Sequence, residues 1–174
     1  MWTIGHSTRS ADELLALLES AGIRQLVDVR RFPHSRRHPQ FNREALAAPL
    51  DPAGIIYLHL PGLGGHRPPR ADSVNRAWRN AGFRGYADYM QTPEFEGSLR
   101  SLIEAAGQRP TAIMCAEAVP WRCHRSLVAD ALTARGIGVE HIVGPGRPEP
   151  HALTPWARIE GMSVTYPAAQ GRLV

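Results

Sequence analysis

The chain predicts a three-layer α/β domain, with a central mostly parallel sheet of about five strands flanked by helices. Three observations carry this expectation. Short apolar runs alternate with stretches whose leucines recur at helical spacing. Strands separated by helices need crossover connections, which pair them in parallel and put helices on both faces. Finally, His, Arg, Cys and Gly gather in the turns that follow the strand-like runs, the edge where such sheets bind ligands.

Thr3 to Gly5 reads as the first strand. Ser10 and Glu13 then form a capping-box pattern, and Leu14, Leu15, Leu17 and Leu18 carry a helix to about Ala21, which Gly22 stops. Leu26 to Val29 is the second strand and opens into an arginine-rich loop. Ile55 to Leu58 is the third and ends in a glycine-rich turn, Gly62 to Gly65. Helices are expected at Tyr86 to Gln91 and Phe95 to Ala106, a fourth strand at Thr111 to Cys115, a helix at Leu127 to Arg135 and a fifth strand at Val139 to Val143. From Gly144 the chain is rich in glycine and proline, with a short hairpin through Ala157 to Tyr166.

A length of 174 residues suits one domain, 1–174, with 144–174 as a C-terminal extension packed on it. No apolar stretch approaches the roughly 20 residues that span a bilayer. Met1 to His6 enters a strand without a charged leader, so a cytoplasmic protein without a membrane partner is expected. Two cysteines make no secreted disulfide framework. The formal charge is +4, and all twenty basic residues are arginine. Arg30, Arg31, Arg36, Arg37 and Arg43 crowd one stretch, a local basic patch suited to phosphate, sulfate or nucleic acid.

The chemistry concentrates between Met114 and Ser126, where both cysteines, Glu117, His124 and two arginines share one loop between a strand and a helix. Cys115 closes an apolar strand and reads either as a reactive or as an inert buried thiol. Cys123 is the better nucleophile, because it precedes His124 and Arg125 at a helix start, where positive potential favours thiolate. Glu117 suits proton transfer or an arginine clamp. His6 and Ser7 at the first strand end, with Arg30, Arg36, Gly64, Gly65, His124 and Arg125, are the expected ligand-binding groups. Asp28 reads as a holder of an arginine. No cofactor is expected, since the glycine turn is neither a Walker A loop nor a dinucleotide fingerprint. Zinc on Cys115, Cys123, His124 and His6 is set aside because the spacing is not C-x-x-C and no second cysteine pair exists.

The motifs Thr3-Ile4-Gly5-His6-Ser7, Asp28-Val29-Arg30, Leu63-Gly64-Gly65, Phe83-Arg84-Gly85-Tyr86, and Cys115-Ala116-Glu117 with Cys123-His124-Arg125 resemble the domain-of-unknown-function 488 family over about residues 3 to 143. That resemblance implies a compact α/β domain but no reaction. Val27 to Arg30 and Met114-Cys115 with Arg125-Ser126 are remotely similar to rhodanese-like domains, whose cysteine loops cradle an anion or a persulfide. Here the loop is longer and contains Glu117.

The expected function is an enzyme or enzyme-like domain acting on an anionic small molecule or a nucleic-acid-derived ligand at the carboxyl edge. The alternatives are a nucleic-acid-binding or repair-associated module without catalysis, and a zinc-binding or thiol-redox domain. His6, Arg30, Glu117 and Arg125 are expected to line one pocket, and Glu117→Gln and Arg125→Ala to abolish ligand binding or turnover while leaving the fold's thermal transition nearly unchanged.

Overall fold

The computed structural model describes residues 1–168. Its strands are β1 (Trp2–Gly5), β2 (Gln25–Asp28), β3 (Ile56–His59), β4 (Thr111–Cys115), β5 (Glu140–Ile142) and β6 (Glu149–Pro150), ordered β3-β2-β4-β1-β5-β6. All pairings are parallel except β5 with β6. The sheet is thus the expected mostly parallel one, with a two-residue sixth strand too short to leave a sequence pattern.

Along β4 the side chains alternate between two cores. Ala112 and Met114 face the helices α1 (Ala11–Ser20) and α2 (Arg43–Leu50), meeting Leu14, Leu18, Leu46 and Leu50. Ile113 and Cys115 face α3 (Ala81–Tyr89), α4 (Pro93–Ala106) and α5 (Arg125–Thr133). This makes three layers. The chain moves one way across the sheet from β1 through β2 to β3 and the other way from β4 to β5. Right-handed crossovers therefore place α1 and α2 opposite α5, and the turns after β1, β2 and β4 meet at the reversal.

Ser10 caps α1 through the complete capping box: its hydroxyl accepts from Glu13 N at 3.1 Å and Glu13 Oε2 accepts from Ser10 N at 2.7 Å. Two helices depart from expectation. α2 lies in what the sequence suggested was only a basic loop; it buries Leu46 and Leu50, one turn apart, and carries Pro49 inside its last turn. α3 begins five residues before the expected Tyr86, capped by Asn80, whose side chain accepts from Gly82 N and Phe83 N.

After β5 the segment adds β6, and a hairpin pairs β7 (Arg158–Glu160) with β8 (Ser163–Thr165), close to the expected span. Residues 169–174 of the expected extension lie outside the described residues. Among the described residues no helix is long and apolar enough to cross a membrane.

Candidate functional site

β4 delivers Cys115 to the carboxyl edge, and the chain returns through a 3₁₀ turn at Pro120–Arg122 to Cys123 and the start of α5. The thiols sit together there, both free and buried. His124 Nδ1 lies 3.8 Å from Cys123 Sγ and 3.9 Å from Cys115 Sγ. The Cys123 thiol is held well below its ordinary range, first by the hydrogen bond from Cys115 and then by His124 and Arg125, against the opposing effect of burial. Cys115 moves well upward, because it supplies that hydrogen bond and is itself buried. Of the two thiols, Cys123 is thus the more acidic.

Arg125 begins α5 and is 1% exposed. Side chains on a helix tilt toward its N-terminus, so the guanidinium reaches back beneath the loop. It donates to Glu117 O at 2.5 Å, Ala118 O at 3.4 Å, Thr3 Oγ1 at 3.4 Å and Cys123 Sγ at 3.4 Å. Thr3 continues into a buried chain, Thr3 Oγ1 to His141 Nδ1 at 2.7 Å, His141 Nε2 to His151 Nδ1 at 2.9 Å and His151 Nε2 to Asp130 at 2.8 Å. The expected ligand-binding arginine is therefore a strut inside the wall.

At the end of β2, Arg30 is clamped by Asp28, with Nη2 2.6 Å from Oδ2 and Nε 2.9 Å from Oδ1. Tyr57 also donates to Asp28 at 2.7 Å. His6 stacks on Phe41 and stands 3.3 Å from Arg30 Nη1 through Nε2, while its Nδ1 donates to Ser7 O at 2.9 Å. Burial, and then the Arg30 cation, push His6 down to about 4, so the ring is neutral. Ser7 adopts φ 51° and donates its N–H to Ala116 O at 2.9 Å, tying the first turn to the cysteine loop.

His6 is therefore a pH-sensitive element of stability. Its folded pKa lies below the ordinary 6.5, so its contribution is complete above about 6.5 and is lost as pH falls toward 4, by up to about 3 kcal/mol at about 1.4 kcal/mol per unit. His141, also lowered to about 4 first by burial and then by His151, acts in the same direction. Urea unfolding at pH 7, 6 and 5 should show a falling stability whose slope is smaller in His6→Gln; equal slopes in the two proteins would contradict this role.

A cleft of about 570 Å³ opens above these elements. Arg30, Cys115, Glu117, Cys123, His124 and Gly65 line it, joined by Arg31, Arg122, Asn80 and Tyr86. Two of the four residues expected to share a pocket, Arg30 and Glu117, do so; His6 and Arg125 stand behind its wall. Arg36 is exposed and outside the cleft, and Ser7 and Gly64 do not line it either. Gly64 and Gly65 serve close approach: a Cβ would lie 2.8 Å from the Arg31 backbone at the first and 3.0 Å from His124 Nδ1 at the second.

Arg122 was legible as a neighbour of Cys123 but its outward direction was not. Asn80 and Tyr86 come from the long β3–β4 connection; Tyr86 ends the Phe83-Arg84-Gly85-Tyr86 motif, whereas no local pattern marks Asn80. Tyr86 is 1% exposed and donates to Leu63 O at 2.7 Å, which makes it core as well as cleft wall.

The donor atoms of Cys115, Cys123 and His124 all lie within 4.8 Å of one another, a set able to hold a metal ion. Residues 10–132 match the family model described as Domain of unknown function DUF488, and this span contains the whole cysteine loop. No curated protein and no solved structure matches the chain.

Proposed function

The chain belongs to the DUF488 family, whose description names no reaction, and from the cleft itself we propose an enzyme-like site that binds a small anionic ligand over a reactive thiol pair. The observation that carries this is the charge of the lining. Arg30 is balanced by Asp28, but among the described residues neither Arg31 nor Arg122 forms an ion pair, and Glu117 is the one carboxylate facing them in the cleft. Two guanidiniums without an ion-pair partner, facing a single carboxylate at a concave site, favour phosphate, sulfate or carboxylate, which they can grip with two parallel hydrogen bonds.

The volume falls within the roughly 300–1,000 Å³ of small-molecule sites, and Phe32 and Phe83 add aromatic surface, so a nucleotide-sized anion fits better than an extended strand. Cys123 is the electron-pair donor of the site, His124 and Arg125 hold its charge, and the exposed Glu117 carries protons. Two reduced thiols side by side suit a reducing compartment such as the cytoplasm.

Calorimetric titration of the metal-free chain with inorganic phosphate and with a nucleoside monophosphate tests this reading. Arg31→Ala with Arg122→Ala should weaken binding at least about tenfold, as expected for losing charge-assisted hydrogen bonds of about 1.5–3 kcal/mol each, whereas Arg36→Ala should leave it unchanged. Equal affinity in the double variant would contradict the reading. Oligonucleotide binding that needs Arg36 and Arg37 and falls steeply with salt, without phosphate binding in the cleft, would favour the nucleic-acid module instead.

A further inference from the structure

We propose that Cys115, Cys123 and His124 are three ligands of a zinc site whose fourth coordination position opens into the cleft. This rests on the reading of the cleft as the functional site, since these side chains form its floor.

The geometry points to a metal rather than to hydrogen bonding alone. For a tetrahedral ion with Zn–S of about 2.3 Å and Zn–N of about 2.0 Å, the distance between a sulfur and a nitrogen ligand is about 3.5 Å. The two such distances here are 3.8 and 3.9 Å, so each must close by only a few tenths of an ångström. One Nδ1 hydrogen cannot point at both sulfurs, and both distances are long for a bond to either. A lone pair on Nδ1 aimed between the two sulfurs at a cation serves all three donors together.

Charge and donor type agree, although His124 Nε2 is buried without a partner among the described residues. Two thiolates, formed as Cys115 gives up its proton on binding, balance one divalent ion. Thiolate and imidazole donors select zinc over magnesium or calcium, which take oxygen ligands. Arg125 Nε, 3.4 Å from Cys123 Sγ, provides the outer hydrogen bond that ligand sulfurs receive and fixes the sulfur's direction.

The backbone also holds the donors in place: Cys115 is fixed in the sheet by His6 N→Cys115 O at 3.0 Å, and Cys123 N donates to Pro120 O at 2.9 Å. Glycine at position 65 matters for the same reason, because a side chain there would crowd His124 Nδ1. With three protein ligands the site would have the form of catalytic rather than structural zinc, and the cleft that the open position would meet is also lined by Arg31, Arg122 and Glu117. An anionic ligand gripped by the arginines would place an oxygen at that position.

The test uses the reduced, full-length chain after chelator treatment. Zinc titrated against a chromophoric chelator should bind at one equivalent per chain, and cobalt(II) should give thiolate charge-transfer absorption. Cys123→Ser and His124→Ala should each lose more than the about 10- to 100-fold that removal of an outer-shell partner costs. Because either variant could unfold, a second measurement uses the wild type alone: zinc should protect both cysteines from iodoacetamide, read by peptide mass spectrometry. Absence of zinc binding, or zinc that leaves both thiols as reactive as before, overturns the proposal. Phosphate affinity is measured on the metal-free chain, so loss of zinc binding with phosphate binding intact sinks this inference alone, and the reverse outcome sinks the anion-site reading alone.

Discussion

Arg125→Ala is expected to lower unfolding free energy by about 3–5 kcal/mol, a fall in melting temperature on the order of 10 °C for a chain of this size. The guanidinium is 1% exposed and holds four different acceptors. Removing it leaves two loop carbonyls and Thr3 without their donor, opens a cavity under the loop and strips Cys123 of its cation. This reverses the expectation that the sequence alone suggested, where Arg125 was a ligand-binding group that the fold could lose. Glu117→Gln should stay within about 0.5 kcal/mol of the wild type, because the side chain is exposed. Thermal melts of both variants decide the matter: an unchanged transition in Arg125→Ala would show that the buried strut is dispensable.

Gly5→Ala is expected to be at least as severe, with more than about 4 kcal/mol lost or no folded protein recovered. A Cβ on Gly5 would fall inside the contact radius of the Glu117 carbonyl and 2.8 Å from Arg125 Nη2. Both are fixed, the carbonyl because Arg125 bonds it and the guanidinium because the wall encloses it. β1 is also central in the sheet, between β4 and β5, and cannot withdraw. Gly97→Ala, with no atom near its added Cβ, is the control, and should be neutral or slightly stabilising through helix propensity. Circular dichroism of the two purified proteins is sufficient, and a wild-type melting curve for Gly5→Ala would refute the steric argument.

The parallel sheet was readable because the buried strand β4 carries an apolar run from Ala112 to Cys115 and β2 carries Leu26 and Val27, and α1 because its capping box is local. α2 was hidden by the proline in its last turn and by the charge around its start. The beginning of α3 was hidden by Gly82 and Gly85, poor helix formers. Gly85 is there because the Arg67 carbonyl passes too close for a side chain, a tertiary reason with no local signature.

For the site, sequence could place residues at a strand end but not assign their directions. Cys115, Glu117, Cys123 and His124 sit in one loop and reach the cleft together. Arg125, one residue further, turns back under that loop by the tilt of helical side chains, and Arg36 lies beyond the basic stretch that the cleft uses. The spacing of the cysteines along the chain could not show that the donor atoms of Cys115, Cys123 and His124 lie within 4.8 Å of one another.

The most direct measurement of the central claim, an anion site over a thiolate, is the alkylation of Cys123 in the metal-free chain by iodoacetate and by neutral iodoacetamide, read by peptide mass spectrometry. Cys123 should favour iodoacetate relative to a free thiol in solution, inorganic phosphate should slow both reagents, and Arg31→Ala with Arg122→Ala should remove the preference. A ratio equal to that of the free thiol, untouched by phosphate and by the arginine substitutions, would contradict it.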